Sequence, residues 1–226
     1  RNLNAQIRRC QDGGSRKSGD RLSCPGLPGL SSRERPLKRA SPSNPSAVRR
    51  MFSSIAGSYD LLNRLFSLGI DSVWRRELIS EVPCDGGPIL DLATGTGDVA
   101  LALAKLAKDK RPVIGVDVTR PMLRVAAAKI QGRKSRGISL IAGDALCLPL
   151  KDGTFSSATI AFGLRNLPPR TEGLREMVRV LRPGGLTAVL EFSRMDRPLV
   201  GPLFRFYFHR VIPFLGGIIS GNRAAY

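Results

Sequence analysis

Residues 88–98 read Pro-Ile-Leu-Asp-Leu-Ala-Thr-Gly-Thr-Gly-Asp, and the fold follows from how that stretch is read. Ile89, Leu90 and Leu92 are the apolar residues of a buried strand, with Asp91 near its C-terminal end. Gly95 and Gly97 let the backbone turn sharply and come close to a ligand. Asp98-Val-Ala-Leu-Ala-Leu-Ala-Lys then opens a helix. In open α/β sheets the ligand crevice lies outside the carboxyl ends of the strands, where such turns sit. The helix N-terminus behind the turn carries free N–H groups and a partial positive charge, which suit a carboxylate or a phosphate.

Outward from this turn, strand and helix patterns alternate. Strands are predicted at 88–93, 113–118, 138–143, 155–162 and 186–192, with helices at about 98–108, 120–131 and 171–181. Apolar strands separated by amphipathic helices indicate a parallel sheet covered on both faces. Right-handed crossovers favour a doubly wound, Rossmann-like order, 3-2-1-4-5 in these five strands. Before the first strand, 48–82 reads as three amphipathic helices that cap the mouth of the crevice or pack on the sheet edge. Leu61, Leu62, Leu65, Phe66 and Leu68 supply apolar positions in the second, and Asp71 is placed to cap the third, with Trp74 and Leu78 on one side.

The glycines alone leave the ligand open. Gly95-Thr-Gly97-Asp-Val-Ala100 fits the dinucleotide pattern G-x-G-x-x-G/A, and Asp117 follows about 20 residues on. A P-loop is excluded, because no Gly-Lys-Ser/Thr follows. Three features favour S-adenosylmethionine over NAD. Asp91 precedes the glycines, placed to meet a ligand ammonium group. Gly143-Asp144-Ala145 ends the third strand and offers a carboxylate and an N–H to an adenine edge. Leu181-Arg-Pro-Gly-Gly185 turns a helix into a further apolar strand, a connector common in methyltransferases.

Composition bounds the rest. The chain has 226 residues, 42% of them hydrophobic, enough for one sizeable core. No apolar run approaches the roughly 20 residues of a spanning helix. Cys10, Cys24, Cys84 and Cys147 lack C-x-x-C spacing, and His209 is the one histidine. This argues against a metal site or a disulfide framework and fits a reducing, cytoplasmic compartment. Residues 1–47 hold ten Lys/Arg against three acids and no periodicity. They read as a disordered basic tail, an organelle transit peptide, or translated upstream sequence. Residues 48–226 carry the other 26 basic and 15 acidic residues. That balance suggests an anionic partner or a solvated basic face. The overall charge of +18 raises nucleic acid as an alternative, but no aromatic–basic RNA module is visible, so no specific nucleic-acid partner is expected.

Several motifs together resemble the UbiE/MenG family of S-adenosylmethionine-dependent C-methyltransferases of menaquinone and ubiquinone biosynthesis. They are Asp91–Asp98, Gly143–Ala145, Phe162-Gly-Leu-Arg-Asn166, Met51–Trp74, Met177–Gly185 with Glu191-Phe-Ser193, 208–216 and 221–226. The resemblance covers roughly 48–226, and the FGLRN and SYDLLN stretches are far more specific than the glycine turn. It implies a class I methyltransferase fold with an N-terminal helical cap (48–82), a cofactor-binding core (88–193) and an aromatic–basic helical region (194–226). Family members continue past Tyr226 with a last helix and an antiparallel strand pair. The implied domain is therefore truncated at its C-terminus, with strand 186–192 left as an unprotected edge.

The cofactor positions implied are Thr96 in the loop with Asp91, Gly95 and Gly97 around it, Asp117 for the ribose hydroxyls, and Asp144 with Ala145 for adenine. Ala161 stands where the family often has Ser, so only a backbone contact survives there. The implied substrate is a lipophilic prenylated quinol, methylated on a ring carbon. Arg165 is the candidate to hold the quinol phenolate, since a guanidinium is a poor base. Asn166 would orient the ring oxygen, and Tyr59 and Asp60 would cover the site. Arg165 and Asn166 also read as a loop-bracing pair, Asp60 as a helix cap, and His209 as a base or a packing residue. Leu199–Ile212, apolar with Arg205 and Arg210 interleaved, fits either peripheral contact with a lipid surface or packing on the sheet.

Overall fold

The computed structural model describes residues 7–8, 45–67, 69–83, 86–108 and 110–191. Its strands are β1 (Ile7–Arg8), β2 (Ile89–Leu92), β3 (Val113–Asp117), β4 (Ile138–Ala142), β5 (Phe155–Ala161) and β6 (Leu181–Leu190). Its helices are α1 (Pro45–Ile55), α2 (Tyr59–Phe66), α3 (Asp71–Ser80), α4 (Asp98–Leu106), α5 (Arg120–Gly132) and α6 (Arg170–Arg179), with a 3₁₀ turn at Leu164–Asn166. The sheet order is β1-β6-β5-β2-β3-β4. Strands β2 to β6 run parallel, and β1 joins β6 antiparallel. The five parallel strands thus have the doubly wound order read from the sequence.

The continuous apolar runs become strands because both sheet faces are covered. All four residues of β2 are buried, as are the first six of β5, whereas β4 at the edge has no buried residue. One face packs Ile89, Val113, Ala188 and Leu190 against Leu78 of α3, Val82 just beyond it and Leu103 of α4. The other packs Leu90, Leu92, Val116 and Ile160 against Met177 and Val180 at the end of α6.

Strand β6 begins five residues before the expected 186. Leu181 pairs with Phe155 and Leu186 with Ser157, so residues 182–185 bulge out between two paired positions. Gly184 takes a positive φ of 75° in that bulge. The β6 edge is also partly paired: Ile7 and Arg8 face Ala188 and Thr187. Helix α1 begins at Pro45, and Asp71 is the first residue of α3 rather than its cap. Ile70 caps α3 without a side-chain bond, while Asp71 accepts from Ser67 Oγ at 2.8 Å and pairs with Arg75. Apart from 7–8 and 45–47, the disordered tail expected over 1–47 lies outside the described residues. So does all of 194–226, with His209 and the apolar stretch Leu199–Ile212.

Candidate functional site

Two adjoining cavities open at the C-terminal ends of β2, β3 and β5. The smaller is lined by Arg75, Asp91, Thr94, Thr96 and Asp98 among others, the larger by Phe52, Asp117, Met122, Asp144 and Asn166 among others. Tyr59, Ala93, Gly95, Ala161 and Phe162 line both.

Each acid in these cavities is held by short-range geometry. Asp91 is 1% exposed and accepts hydrogen bonds from Thr94 Oγ1 at 2.6 Å and Thr159 Oγ1 at 2.8 Å. Burial pushes its carboxyl from 3.8 to about 6, with the Asp117 charge adding to the rise; the two hydroxyls and Arg75 act the other way. Asp117 ends β3 and accepts from the Gly95 N–H at 2.9 Å and the Thr119 N–H at 2.7 Å, one on each oxygen. Burial raises its carboxyl as well, against those bonds. Each oxygen keeps a further acceptor position. Asp144 accepts from the Leu146 N–H at 2.9 Å.

The ends of β2 and β5 are pressed together. A Cβ on Gly163 would lie 2.7 Å from the Cβ of Ala93. Ala93 and Phe162 both take positive φ, 52° and 57°. That region is costly for a bulky side chain, and such strain collects at ligand sites. The Phe162 ring meets Trp74 of α3 edge-on at 6.2 Å. Phe162 therefore forms a wall shared by both cavities. Its role was not read from the sequence, where only the FGLRN motif containing it stood out.

Helices α1 to α3 close the mouth as a cap. Phe52 and Tyr59 pack with Ile55, Ala56 and Met122 of α5, placing α1 over the larger cavity. The cap is fastened by charge. Thr96 Oγ1 donates to Asp60 Oδ1 at 2.6 Å, and Lys129 of α5 bridges Asp60 to Asp98. Arg75 Nη1 contacts Asp98 at 2.9 Å and Asp71 at 3.2 Å. Asp60 thus serves the glycine turn rather than capping α2. In sequence only the Asp71–Arg75 spacing signals any of this; the other partners lie 23 to 69 residues apart.

Of the site residues read from the sequence, Tyr59, Asp91, Gly95, Thr96, Asp117, Asp144, Ala161 and Asn166 come together around the cavities. Gly97, Ala145 and Arg165 are not among the lining residues. Gly97 precedes α4 with a φ of 81°, and a Cβ there would come within 2.9 Å of Ala126 Cβ, so it sets the approach of α4 to α5. Ala145 is buried in the core beneath. Arg165 contacts Glu191 after β6, at 3.0 Å through its backbone N–H and 2.5 Å through its guanidinium. Among the described residues no group of His, Cys, Asp and Glu is placed to hold a metal ion.

Chemically, the site offers four carboxylates (Asp91, Asp98, Asp117 and Asp144) and two guanidiniums (Arg49 and Arg75) around a glycine turn. That set suits a ligand bearing an ammonium, a carboxylate, a diol and an amino edge. It disfavours a pyrophosphate, because the Asp98 carboxylate already occupies the first turn of α4 and Asp91 lies beside it. Beyond the acids, Phe52, Met122, Leu146, Phe162 and Leu167 give the larger cavity an apolar wall.

The ubiE/COQ5 methyltransferase family matches residues 40–226. The demethylmenaquinone methyltransferase of Thermus thermophilus is 48% identical over 178 residues, spanning 78% of this chain and 80% of that protein. The demethylmenaquinone methyltransferase of Deinococcus radiodurans is 46% identical over 181 residues, spanning 80% and 74%. The ubiquinone/menaquinone biosynthesis C-methyltransferase UbiE of Geobacter sulfurreducens is 44% identical over 175 residues, spanning 76% and 68%. Among solved structures, a SAM-dependent methyltransferase from Aquifex aeolicus shares the fold, with a TM-score of 0.50 at 22% identity over 69% of this chain and 76% of that one.

Proposed function

The chain belongs to the ubiE/COQ5 methyltransferase family, and on that premise we propose that it is an S-adenosylmethionine-dependent C-methyltransferase acting on a prenylated quinol in menaquinone or ubiquinone biosynthesis. Demethylmenaquinol is the first substrate to test. The observation that supports this most directly is the run of strand-end acids through the two cavities, Asp91 in the smaller and Asp117 and Asp144 in the larger, beside the apolar wall of the larger one.

The donor set fits the cofactor. Asp91 is assigned to its ammonium, Asp117 to the ribose hydroxyls and Asp144 to the adenine amino group, with Gly95, Thr96 and Ala161 lining its bed. When bound, S-adenosylmethionine supplies an electrophilic methyl group. The protein's task is then alignment, which in favourable cases lowers a barrier by about 7–11 kcal/mol. The cap and the Phe162 wall exclude water and hold the ring against the apolar side of the larger cavity, beside the cofactor's nucleoside. Asn166 and Tyr59 are assigned to the ring oxygen. Arg165, beside Asn166 in the turn after β5, is assigned to the phenolate charge, with Glu191 orienting its guanidinium. A prenylated substrate resides in lipid, so the proposal includes work at the cytoplasmic face of a membrane by peripheral contact. No helix among the described residues is long and apolar enough to cross one.

The test is turnover of methyl-labelled S-adenosylmethionine with demethylmenaquinol and, separately, with a ubiquinone-pathway precursor. Label is expected in the quinone product. Arg165→Ala should lower kcat by about 10²–10³ with cofactor affinity unchanged. A mutant that instead loses melting temperature and cofactor affinity together would assign Arg165 to bracing the β5–β6 ends. No label transfer to either quinol would sink the substrate class.

A further inference from the structure

The smaller cavity holds one cation among its lining residues, Arg75, and that residue belongs to the cap rather than to the sheet. Its side chain is 17% exposed. Both of its ion pairs, to Asp71 and to Asp98, use Nη1. Among the described residues its Nε and Nη2 donors engage no acceptor, so one edge of the guanidinium fork stays available for a carboxylate. Asp91 lines the same cavity, close enough for the Arg75 charge to act on its carboxyl. A buried carboxylate and a guanidinium in one small chamber, beside the first turn of α4, are the complement of an α-amino acid.

We infer that Arg75 binds the carboxylate of the cofactor's amino-acid end while Asp91 takes its ammonium, so that cap helix α3 is itself part of the cofactor site. The inference rests on the reading of the chain as S-adenosylmethionine-dependent. It has a structural consequence. Arg75 is tied through Asp98 to Lys129, and through Lys129 to Asp60 and Thr96, so a carboxylate on Arg75 joins the network that fastens α2 and α3 to the glycine turn. Cofactor binding thereby organises the wall on which Tyr59 and Trp74 sit. Positioning of the quinol depends on an occupied cofactor site.

The experiment is calorimetric titration of the full chain with S-adenosylmethionine and with decarboxylated S-adenosylmethionine, for wild type, Arg75→Met and Arg75→Lys. Arg75→Met keeps the apolar stem, and its former partners keep Lys129 on Asp98 and the Ser67 hydroxyl on Asp71. It should weaken S-adenosylmethionine about tenfold to a hundredfold, the range for one charged hydrogen bond. The decarboxylated cofactor should bind within about threefold of its wild-type affinity, since the lost interaction is absent from that pair. Arg75→Lys should recover part of the loss, because an ammonium keeps the charge without the fork. An equal loss for both ligands would show a purely structural arginine and overturn the inference, as would no loss for either. Wild type supplies an arm free of any folding defect: equal affinity for the two ligands overturns the inference too, and a preference of about tenfold or more for the carboxylate-bearing one supports it. Wild type that binds neither ligand would overturn the cofactor reading itself, a result distinct from failure at Arg75.

Discussion

Asp91 carries the conflict between stability and function at the scale of one residue. Burial raises its carboxyl from 3.8 to about 6. A raised acid favours the folded state while protonated, so its contribution is fully present below 3.8 and is lost as pH climbs through about 6. At 1.36 kcal/mol per pH unit the full loss is about 3 kcal/mol. Asp91→Asn should therefore stabilise the ligand-free protein at pH 7 by about 1–3 kcal/mol, with the gain disappearing near pH 4. The lower end of that range allows for one threonine hydroxyl having to turn round. The same substitution should weaken S-adenosylmethionine about tenfold or more and remove the wild type's gain in affinity as pH rises through about 6. Denaturant melts and titrations at pH 4, 6 and 7 check both parts. A mutant less stable than wild type at pH 7 would show that the two threonine bonds outweigh the desolvation.

At the scale of elements, the decisive junction is between α2 and the glycine turn. Helix α2 brings Asp60 to Thr96 Oγ1 at 2.6 Å, and Lys129 neutralises it from α5. Asp60 and Lys129 are partly exposed, so the coupling is modest. A double-mutant cycle with Asp60→Ala and Thr96→Val should give a coupling of about 1 kcal/mol in stability. Hydrogen exchange across residues 59–66 should quicken in Asp60→Ala while β2 to β5 stay protected, because the cap is joined to the sheet through few contacts of this kind. Additive effects in the cycle would mean that the hydrogen bond does not hold the cap. Strands β2 and β5 are joined by their parallel ladder, and just beyond their ends the Gly163–Ala93 contact leaves no room for a methyl group.

For the molecule as a whole, charge and site are separable. Of the excess of 18 positive charges, 7 lie in residues 1–47, whereas every residue lining the two cavities lies at or beyond 48. Ile7 and Arg8 pair only with β6, and β5 stands between β6 and the glycine turn at the end of β2. Removal of residues 1–44 should leave S-adenosylmethionine affinity within about twofold. It should lower the melting temperature by a few degrees, as expected for about 1 kcal/mol of lost edge pairing. Differential scanning calorimetry and titration of the shortened chain check this. A large loss of cofactor affinity would tie the tail to the site.

Elements whose signal is local are legible along the chain. Continuous apolar runs specified five parallel strands, and their alternation with helices specified the order about β2. Left-handed turn positions demanded Gly95 and Gly97, and Asp91, Asp117 and Asp144 stood out as acids at strand ends. Motif content specified the family. Features that depend on distant partners emerge only on folding. Arg75, Lys129, Asp60 and Asp98 converge from four cap and core helices across separations that leave no periodic trace. Phe162 becomes a wall through a backbone conformation that its residue type disfavours and that the neighbouring strand ends impose. The early start of β6 follows from Leu181 finding Phe155, a pairing set by register rather than composition. The shift at Asp91 arises from complete enclosure, which no sequence neighbour encodes. Short-range backbone preference and apolar patterning are written along the chain, whereas electrostatic environment and strain exist only once the chain has closed on itself.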